Sequence, residues 1–176
     1  MFLRFLPILL LLALLSCGCE TDIVTGEPAA EDEPTAPVAD PAPDGATAMA
    51  QEFLQRVNAV RGSGCLCGTT RMPAVPALRL HPQLSDAAQA HSEDQARHRK
   101  MQHLGSDGSR VGDRVTRAGF TWRAVGENVA WNYRSVEAVM RAWLESEGHC
   151  KNIMGANYQF LGVGERDFYW TQVFAR

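Results

Sequence analysis

A glutamate lies in the middle of an apolar, strand-like run, and this placement constrains the fold more than any other feature of the sequence. The run spans residues 125–130 and reads Val-Gly-Glu-Asn-Val-Ala. Burying a carboxylate without a partner costs several kcal/mol, so Glu127 needs partners that the fold brings to it. His103 upstream and His149 downstream lie in flanking motifs and are the first candidates.

The N-terminus has the features of an export signal. Arg4 precedes an apolar run over residues 5–15, which is too short to span a bilayer as a mature helix. Residues 14–17 read Leu-Leu-Ser-Cys, which resembles a bacterial lipobox, where the cysteine is lipidated. We therefore expect residues 1–16 to be a lipoprotein-type signal peptide and Cys17 to carry the lipid. An ordinary cleaved signal with a chance cysteine is the alternative.

This interpretation places the protein outside the cytoplasm. We expect it to be exported and either anchored in the bacterial cell envelope through its N-terminal lipid, with the membrane as a partner, or secreted. Several acyl chains on one terminus are sufficient for stable anchoring, because each buried methylene contributes roughly 0.8 kcal/mol.

Residues 17–47 have the composition of a disordered acidic tether. Five of the nine prolines and eight acids fall between residues 20 and 47, and no Lys or Arg occurs from residue 5 to residue 55. Few apolar side chains and one sign of charge cannot offset the loss of chain entropy on folding. An acidic arm that binds a partner is the alternative.

Residues 48–176 are long enough for one compact domain with its own core. Without Arg4 and the eight tether acids, 16 basic and 12 acidic residues remain, a net charge of +4. These charges are interspersed and form no dense basic run, which argues against a nucleic-acid partner. No feature of this part of the sequence requires more than a monomer.

Hydrophobic spacing predicts an α+β domain in which helices surround a small, mainly antiparallel sheet. The predicted helices span 48–61, 82–100 and 111–118, and a fourth is capped by Ser135 and closed by Gly148. The predicted strands span 125–130, 160–164 and 168–175.

The histidines differ in what their positions predict. His91 lies on a helical stripe and is expected to be a partly buried structural residue, whereas His81 is expected in a cap or loop and His98 on an exposed helix face. His103 and His149 follow predicted helix ends, where rigid scaffolds present functional side chains.

Three cysteines of the domain predict a disulfide in an oxidising compartment. Cys65 and Cys67 are too close in sequence to bridge easily to each other, so Cys150 is expected to pair with one of them. A zinc site made by all three cysteines is the alternative, although the spacing matches no C-x-x-C ribbon.

Several separated motifs together resemble the CAP superfamily, the SCP-domain group of cysteine-rich secretory, antigen 5 and pathogenesis-related 1 proteins, and most closely its compact bacterial branch. The motifs are Gly-Glu-Asn-Val at 126–129, Trp-x-x-Ser-x-Gly-His-x-x-Asn-Ile-Met at 143–154, Gly-Val-Gly at 162–164 and Tyr-Trp-Thr-Gln-Val-Phe at 169–174. His103 and the Gly-Asp-Arg segment at 112–114 also fit. The resemblance implies a three-layer α-β-α sandwich over residues 48–176.

The resemblance also implies a surface cleft. Animal and plant members have two histidines and two glutamates there, which bind a divalent metal, often zinc. His103 and Glu127 match the first histidine and the Gly-Glu-Asn glutamate, whereas Ser146 and Tyr169 stand where a glutamate and a histidine would be. His149 is expected to reach the same cleft, so His103, Glu127 and His149 are the candidate ligands for zinc or another divalent cation.

Without a metal, Glu127 between two histidines is expected to stay ionised and to raise both imidazole pKa values. The same residues would also serve as a purely structural polar network. Bacterial members further imply a Cys67–Cys150 disulfide.

The expected function is a ligand-binding or accessory module whose cleft holds a small molecule, a lipid or a cell-wall ligand. The alternative is a zinc-dependent hydrolase that acts on a peptide or cell-envelope substrate, with a metal-bound water activated by Glu127. Ser106 and Ser146 are weaker nucleophile candidates, since serine beside glycine usually forms a turn or cap. A structural envelope protein is the third candidate.

Overall fold

The computed structural model describes residues 45–176, with side chains from Ala48 onwards. The predicted signal peptide, Cys17 and most of the acidic tether lie outside this range. Within it, no helix is both long and apolar enough to cross a bilayer.

Five helices and six strands make up the described part of the chain. The helices are α1 (Gly45–Ser63), α2 (Pro82–His98), α3 (Val111–Arg117), α4 (Val136–Glu145) and α5 (Glu147–Ile153). The strands are β1 (Cys65–Cys67), β2 (Thr70–Met72), β3 (Arg79–Leu80), β4 (Val125–Trp131), β5 (Phe160–Arg166) and β6 (Tyr169–Ala175).

The main sheet has the order β3-β5-β6-β4, and every neighbouring pair is antiparallel except the short parallel pair β3–β5. Alternate side chains of its strands face two different helical layers. On one face, Leu161 and Phe174 pack with residues of α1, α4 and α5 around Trp143. On the other face, Val173 packs with α2 and α3 around Leu84. The predicted α+β class and three-layer α-β-α sandwich are confirmed.

Helix α2 lies unusually close to β5 because two glycines of β5 face it. A Cβ atom added at Gly162 would overlap the backbone carbonyl carbon of Leu84. One added at Gly164 would overlap the backbone nitrogen of Gln89. Any larger residue at these two positions would force the helix away from the sheet.

The predicted helix from Ser135 to Gly148 is wrong only at its C-terminal end, because α4 ends at Glu145 and a second helix follows. Ser135 caps α4 as expected, its hydroxyl accepting from the Ala138 amide. The break falls at Ser146, whose extended backbone (φ −91°, ψ 120°) ends α4 and precedes α5. Gly148 lies inside α5, so His149 is a helical residue and does not follow a helix stop.

Two other local predictions need correction. The cysteine-containing segment after the first helix, for which no strand is predicted, forms the antiparallel hairpin β1–β2, in which Gly68 has φ +60°. Phe168, predicted as the first strand residue, lies in the preceding turn with Asp167, both at positive φ. Strand β6 therefore begins at Tyr169.

Candidate functional site

Glu127 is the centre of a buried charged cluster. Strand β4 carries its side chain inward, where the residue is 6% exposed. One carboxylate oxygen, Oε1, accepts a hydrogen bond from His103 Nδ1 at 2.8 Å. The other, Oε2, accepts from Arg114 Nη2 at 2.5 Å. Both oxygens therefore have a partner, which explains how an acid is accommodated in an apolar strand.

Arg114 is the principal partner that sequence reasoning missed. It lies on α3, is 7% exposed, and also donates to the backbone carbonyls of Ser109 at 2.8 Å and His103 at 3.2 Å. Its guanidinium thus connects α3, the segment before α3 and β4. The match of the Gly-Asp-Arg segment at 112–114 to the family pattern was the one sequence signal that pointed to Arg114.

His91 lies behind Glu127 and is fully buried. Its Nε2 is 2.9 Å from the Gln102 carbonyl and 4.0 Å from Glu127 Oε2. Burial lowers the pKa of His91, and this effect outweighs the opposing influence of Glu127. Nδ1 is buried with no hydrogen-bond partner among the described residues. The sequence expectation of a structural histidine agrees with this position, although the burial is complete and not partial.

An amide network holds α5 against β4 beside the cluster. Asn128 Nδ2 donates to the His149 carbonyl and to Gln172 Oε1, both at 3.2 Å. Asn152 Nδ2 donates to the Glu127 carbonyl at 3.0 Å and to Asn128 Oδ1 at 2.9 Å. The network fixes the α5 backbone that carries His149.

The two candidate site histidines have opposite pKa shifts. The hydrogen bond to Glu127 raises the pKa of His103 above its ordinary value of 6.5. Burial, and secondarily repulsion by His103, lowers the pKa of His149. The expectation that Glu127 raises both pKa values is wrong for His149, because burial and the charge of His103 lower its pKa.

Among the described residues, neither Ser146 nor Tyr169 makes a side-chain hydrogen bond or ion pair with His103, Glu127 or His149. Ser146 lies at the junction of α4 and α5, and its side chain does not cap α5. Tyr169 pairs with Trp131 in the sheet, whereas Glu127 pairs with Val173 four positions away. The prediction that Tyr169 lies in the cleft is corrected accordingly, and the second histidine near the Glu127 carboxylate is His91.

The cluster opens into a surface cleft of about 450 Å³. The lining residues are His103, Leu104, Arg110, Val111, Glu127 and Asn152. The His103 side chain is 62% exposed, so its ring forms part of the wall while Nδ1 is held by Glu127. The exposed charged groups of this cleft are cationic, because the buried Glu127 is already paired with Arg114.

The residues expected to bind zinc do not form a three-ligand set. Among residues 45–176, only Cys65, Cys67 and Cys150 place ligand atoms of three such side chains within 4.8 Å of one another. In the cleft, Glu127 is bound to His103 and to Arg114, and the charge of Arg114 opposes a cation at that carboxylate. His103, Glu127 and His149 therefore do not fit a zinc ion.

Two of the three cysteines form a disulfide, and the third has a free thiol next to it. The structure joins Cys67 to Cys150, with Cα atoms 5.4 Å apart, and this is the pairing that the family resemblance implied. Cys65 is free, and its sulfur lies 3.5 Å from that of Cys150. The disulfide attaches α5 to β1.

The three-layer fold and its His–Glu cleft define an SCP-type domain. The chain belongs to the CAP family, the cysteine-rich secretory protein family, whose model matches residues 54–174. The family membership predicted from the separated sequence motifs is therefore confirmed.

Two relatives come from Bacillus subtilis. The uncharacterized protein YkwD is 30% identical over 135 residues, which cover 76% of this chain and 49% of YkwD. The uncharacterized membrane protein YlbC is 34% identical over 92 residues, which cover 52% of this chain and 27% of YlbC. The chain thus spans about half or less of the length of these relatives.

Solved structures show the same fold. An extracellular protein containing an SCP domain from Bacillus anthracis superposes with a TM-score of 0.65 at 30% identity, over 72% of this chain and 39% of that one. An outer surface protein from Borrelia burgdorferi gives a TM-score of 0.62 at 15% identity, over 73% of this chain and 92% of that one. At that identity, the Borrelia protein supports the fold alone.

Proposed function

We propose that this protein is a ligand-binding or accessory module of the bacterial cell envelope, and that its cleft binds an anionic ligand with an apolar part. The observation that carries the proposal is the engagement of Glu127 by His103 and Arg114. With its carboxylate already paired, the acid positions His103 and is not free to bind a cation. The His103 ring is left exposed, and the neighbouring carboxylate favours its protonated form, in which both ring nitrogens donate hydrogen bonds.

The composition of the cleft wall supports this ligand class. His103 and Arg110 supply positive charge, and Arg110 forms no ion pair within the described chain. Leu104, which is 48% exposed, and Val111 supply apolar surface beside them. A carboxylate or phosphate bound to the cationic groups would place an attached acyl or aliphatic group on these side chains. A lipid, a small organic acid and a cell-wall peptide terminus share this chemistry.

Envelope anchoring is a second part of the proposal. The lipobox-like Leu-Leu-Ser-Cys at residues 14–17 and the acidic, proline-rich segment after it support a lipid on Cys17 and a tether to the domain. The similar SCP-domain protein from Bacillus anthracis is described as extracellular. Mass spectrometry of the membrane fraction, with Cys17→Ser as the control, tests the lipid directly.

Binding of octanoate and of 1-octanol separates charge recognition from apolar adsorption. We expect calorimetry to detect octanoate and to show at least roughly tenfold weaker binding of the uncharged alcohol, since a charge-assisted hydrogen bond contributes about 1.5–3 kcal/mol. His103→Ala and Arg110→Gln should each weaken octanoate binding. Arg71→Gln, an exposed arginine on β2, should not. Equal affinity for both probes, or equal effects of all three variants, would exclude anion recognition by this cleft.

A hydrolase acting on a peptide or cell-envelope substrate is the second candidate function. The neighbouring imidazoles favour it, because their pKa values shift in opposite directions, a pattern found in general acid–base pairs. The zinc-dependent form is disfavoured by the pairing of Glu127 with Arg114. Metal analysis of the purified protein, together with peptide hydrolysis assays of His103→Ala and His149→Ala, distinguishes the candidates. Stoichiometric zinc and activity lost in both variants would favour the hydrolase over the binding module.

A further inference from the structure

A second cavity lies at the far end of the β4–β6 pair, away from Glu127. It has a volume of about 480 Å³, within the range of roughly 300–1,000 Å³ that is usual for small-molecule sites. The lining residues are Ala96, Arg99, Met101, Trp131, Asp167 and Tyr169. None of them lines the cleft beside His103.

Trp131 is an exposed aromatic ring held in a fixed orientation. The residue is 51% exposed at the end of β4, an edge strand of the main sheet. Its ring stacks on the buried Tyr169, with centroids 5.7 Å apart and planes inclined by 29°. Because Tyr169 covers one side of the indole, the ring presents a flat apolar surface to solvent. Met101, 48% exposed, widens this surface.

Unusual backbone conformations concentrate around the same cavity. Among the described residues, four other than glycine have positive φ: Arg99 (52°), Asn132 (71°), Asp167 (51°) and Phe168 (63°). Arg99 and Asp167 line the cavity, while Asn132 and Phe168 directly follow lining residues. Arg99 ends α2, where this conformation is common, but the other three lie in turns. Left-handed residues other than glycine cluster at functional sites more often than elsewhere.

The two turns also support each other. The Asn132 amide donates to the Phe168 carbonyl at 3.0 Å, which links the chain after β4 to the turn before β6. The Arg134 guanidinium lies 5.2 Å from the centroid of the Phe168 ring. The polar groups at the cavity edge are therefore presented by a connected framework.

We propose that this cavity binds an uncharged sugar ring stacked on Trp131. Arg99 offers only hydrogen-bond donors and Asp167 only acceptors, and neither forms an ion pair within the described residues. Sugar hydroxyls accept from the first and donate to the second, while the C–H face of a pyranose packs against the indole. An anion would meet Asp167, a cation would meet Arg99, and an acyl chain would satisfy neither group. This site is separate from the proposed anion-binding cleft.

Titration with N,N′-diacetylchitobiose and with cellobiose tests the proposal. The indole N–H signal of Trp131 in a ¹⁵N–¹H spectrum should shift with saturable binding to at least one disaccharide. Trp131→Ala should weaken that binding roughly two- to tenfold or abolish it, and Trp131→Phe should retain part of it. Trp122→Ala is the matched control, because Trp122 is also exposed (38%) but lines neither cavity. Asp167→Asn, which tolerates the left-handed backbone, should weaken binding without unfolding the protein.

Three results would overturn the proposal. The first is no shift of the Trp131 indole with either disaccharide up to the solubility limit. The second is equal weakening by Trp122→Ala and Trp131→Ala in variants that keep the native circular dichroism spectrum. The third is a concentration-dependent dimer that Trp131→Ala dissociates, which would assign this surface to contact between copies of the chain.

Discussion

The guanidinium of Arg114 and the carboxylate of Glu127 form a buried ion pair that joins α3 to β4, with Nη2 2.5 Å from Oε2. Each side chain is less than one-tenth exposed. The pair neutralises an acid inside an apolar strand and, through the second carboxylate oxygen, orients His103 towards the cleft. Stability and binding geometry therefore depend on the same carboxylate.

Removing Arg114 is expected to destabilise the domain strongly. Arg114→Met keeps much of the side-chain volume but leaves Glu127 buried without its cationic partner, a loss of about 3–5 kcal/mol in the free energy of unfolding. Urea denaturation measures it. Arg117→Met is the control, since Arg117 pairs with Asp107 at the exposed surface and should cost at most about 1 kcal/mol. Similar losses in both variants would show that the buried pair is not a major source of stability.

The pKa values of His103 and His149 should each change when a neighbouring charged side chain is removed. In an NMR titration, Glu127→Gln should lower the pKa of His103, because the hydrogen bond to the carboxylate is what raises it. His103→Ala should raise the pKa of His149 by removing the repulsion. The stabilising contribution of His103 is fully present below its unfolded pKa of 6.5 and is lost as pH rises through the folded value. An unchanged pKa of His103 in Glu127→Gln would contradict the hydrogen bond.

His91 should make the domain sensitive to mild acid. Burial lowers its pKa below 6.5, so its neutral form stabilises the fold above that pH and this contribution is lost as pH falls through the folded value. We expect His91→Gln, which can still donate to the Gln102 carbonyl, to reduce the loss of unfolding free energy between about pH 7 and pH 5. His98→Gln, on an exposed part of α2, controls for the removal of one histidine. Identical pH slopes in the parent and His91→Gln would contradict the role of burial.

Substitution by alanine should have opposite effects at two glycines, because only Gly162 lies in the close contact between α2 and β5. Gly162→Ala places a methyl group against the backbone of Leu84 and should destabilise by about 1–3 kcal/mol or more. Gly148→Ala meets no atom within 4 Å and lies within α5, so it should stabilise by up to about 1 kcal/mol. Thermal and urea unfolding measure both. Equal stability of the two variants would mean that the helix does not approach the strand this closely.

The disulfide should contribute about 3–5 kcal/mol, because it links residues 83 positions apart in the sequence. Cys150→Ser removes every pairing with Cys65 or Cys67 and should show this loss in urea denaturation, whereas Cys65→Ser should not. Peptide mapping without reduction should recover Cys67 joined to Cys150 and a free Cys65 thiol. Recovery of Cys65 joined to Cys150 would overturn the assignment, and the 3.5 Å approach of their sulfurs makes this the relevant competitor.

The sequence predicted those elements that rest on strong periodicity or on an unusual residue. Helix α2 and strand β4 fall close to their predicted bounds, since a long apolar stripe and a short apolar run are local signals. The break at Ser146 was not predicted, because Trp143 and Leu144 continue the helical pattern up to it and Gly148 is the stronger conventional stop.

The parts of the site that were missed or predicted wrongly depend on tertiary geometry. Arg114 resembles an ordinary basic residue of a short helix until the fold brings it to Glu127. The distance of Tyr169 from the cleft follows from the β4–β6 register, which pairs Tyr169 with Trp131. Hydrophobic alternation defines which face a strand residue occupies but not which partner it meets along the strand.

Adjacent residues of α5 have different attachments. Cys150 is bonded to Cys67 on the hairpin, while the carbonyl of His149 is held by Asn128 on β4. A helix of seven residues is too short to be stable alone, so these attachments determine its orientation. The crosslink therefore helps to fix α5 beside the cleft that we propose binds a ligand. Under reducing conditions α5, which carries the cleft residue Asn152, should lose its fixed position before the rest of the domain unfolds, so that loss of ligand affinity precedes loss of the fold.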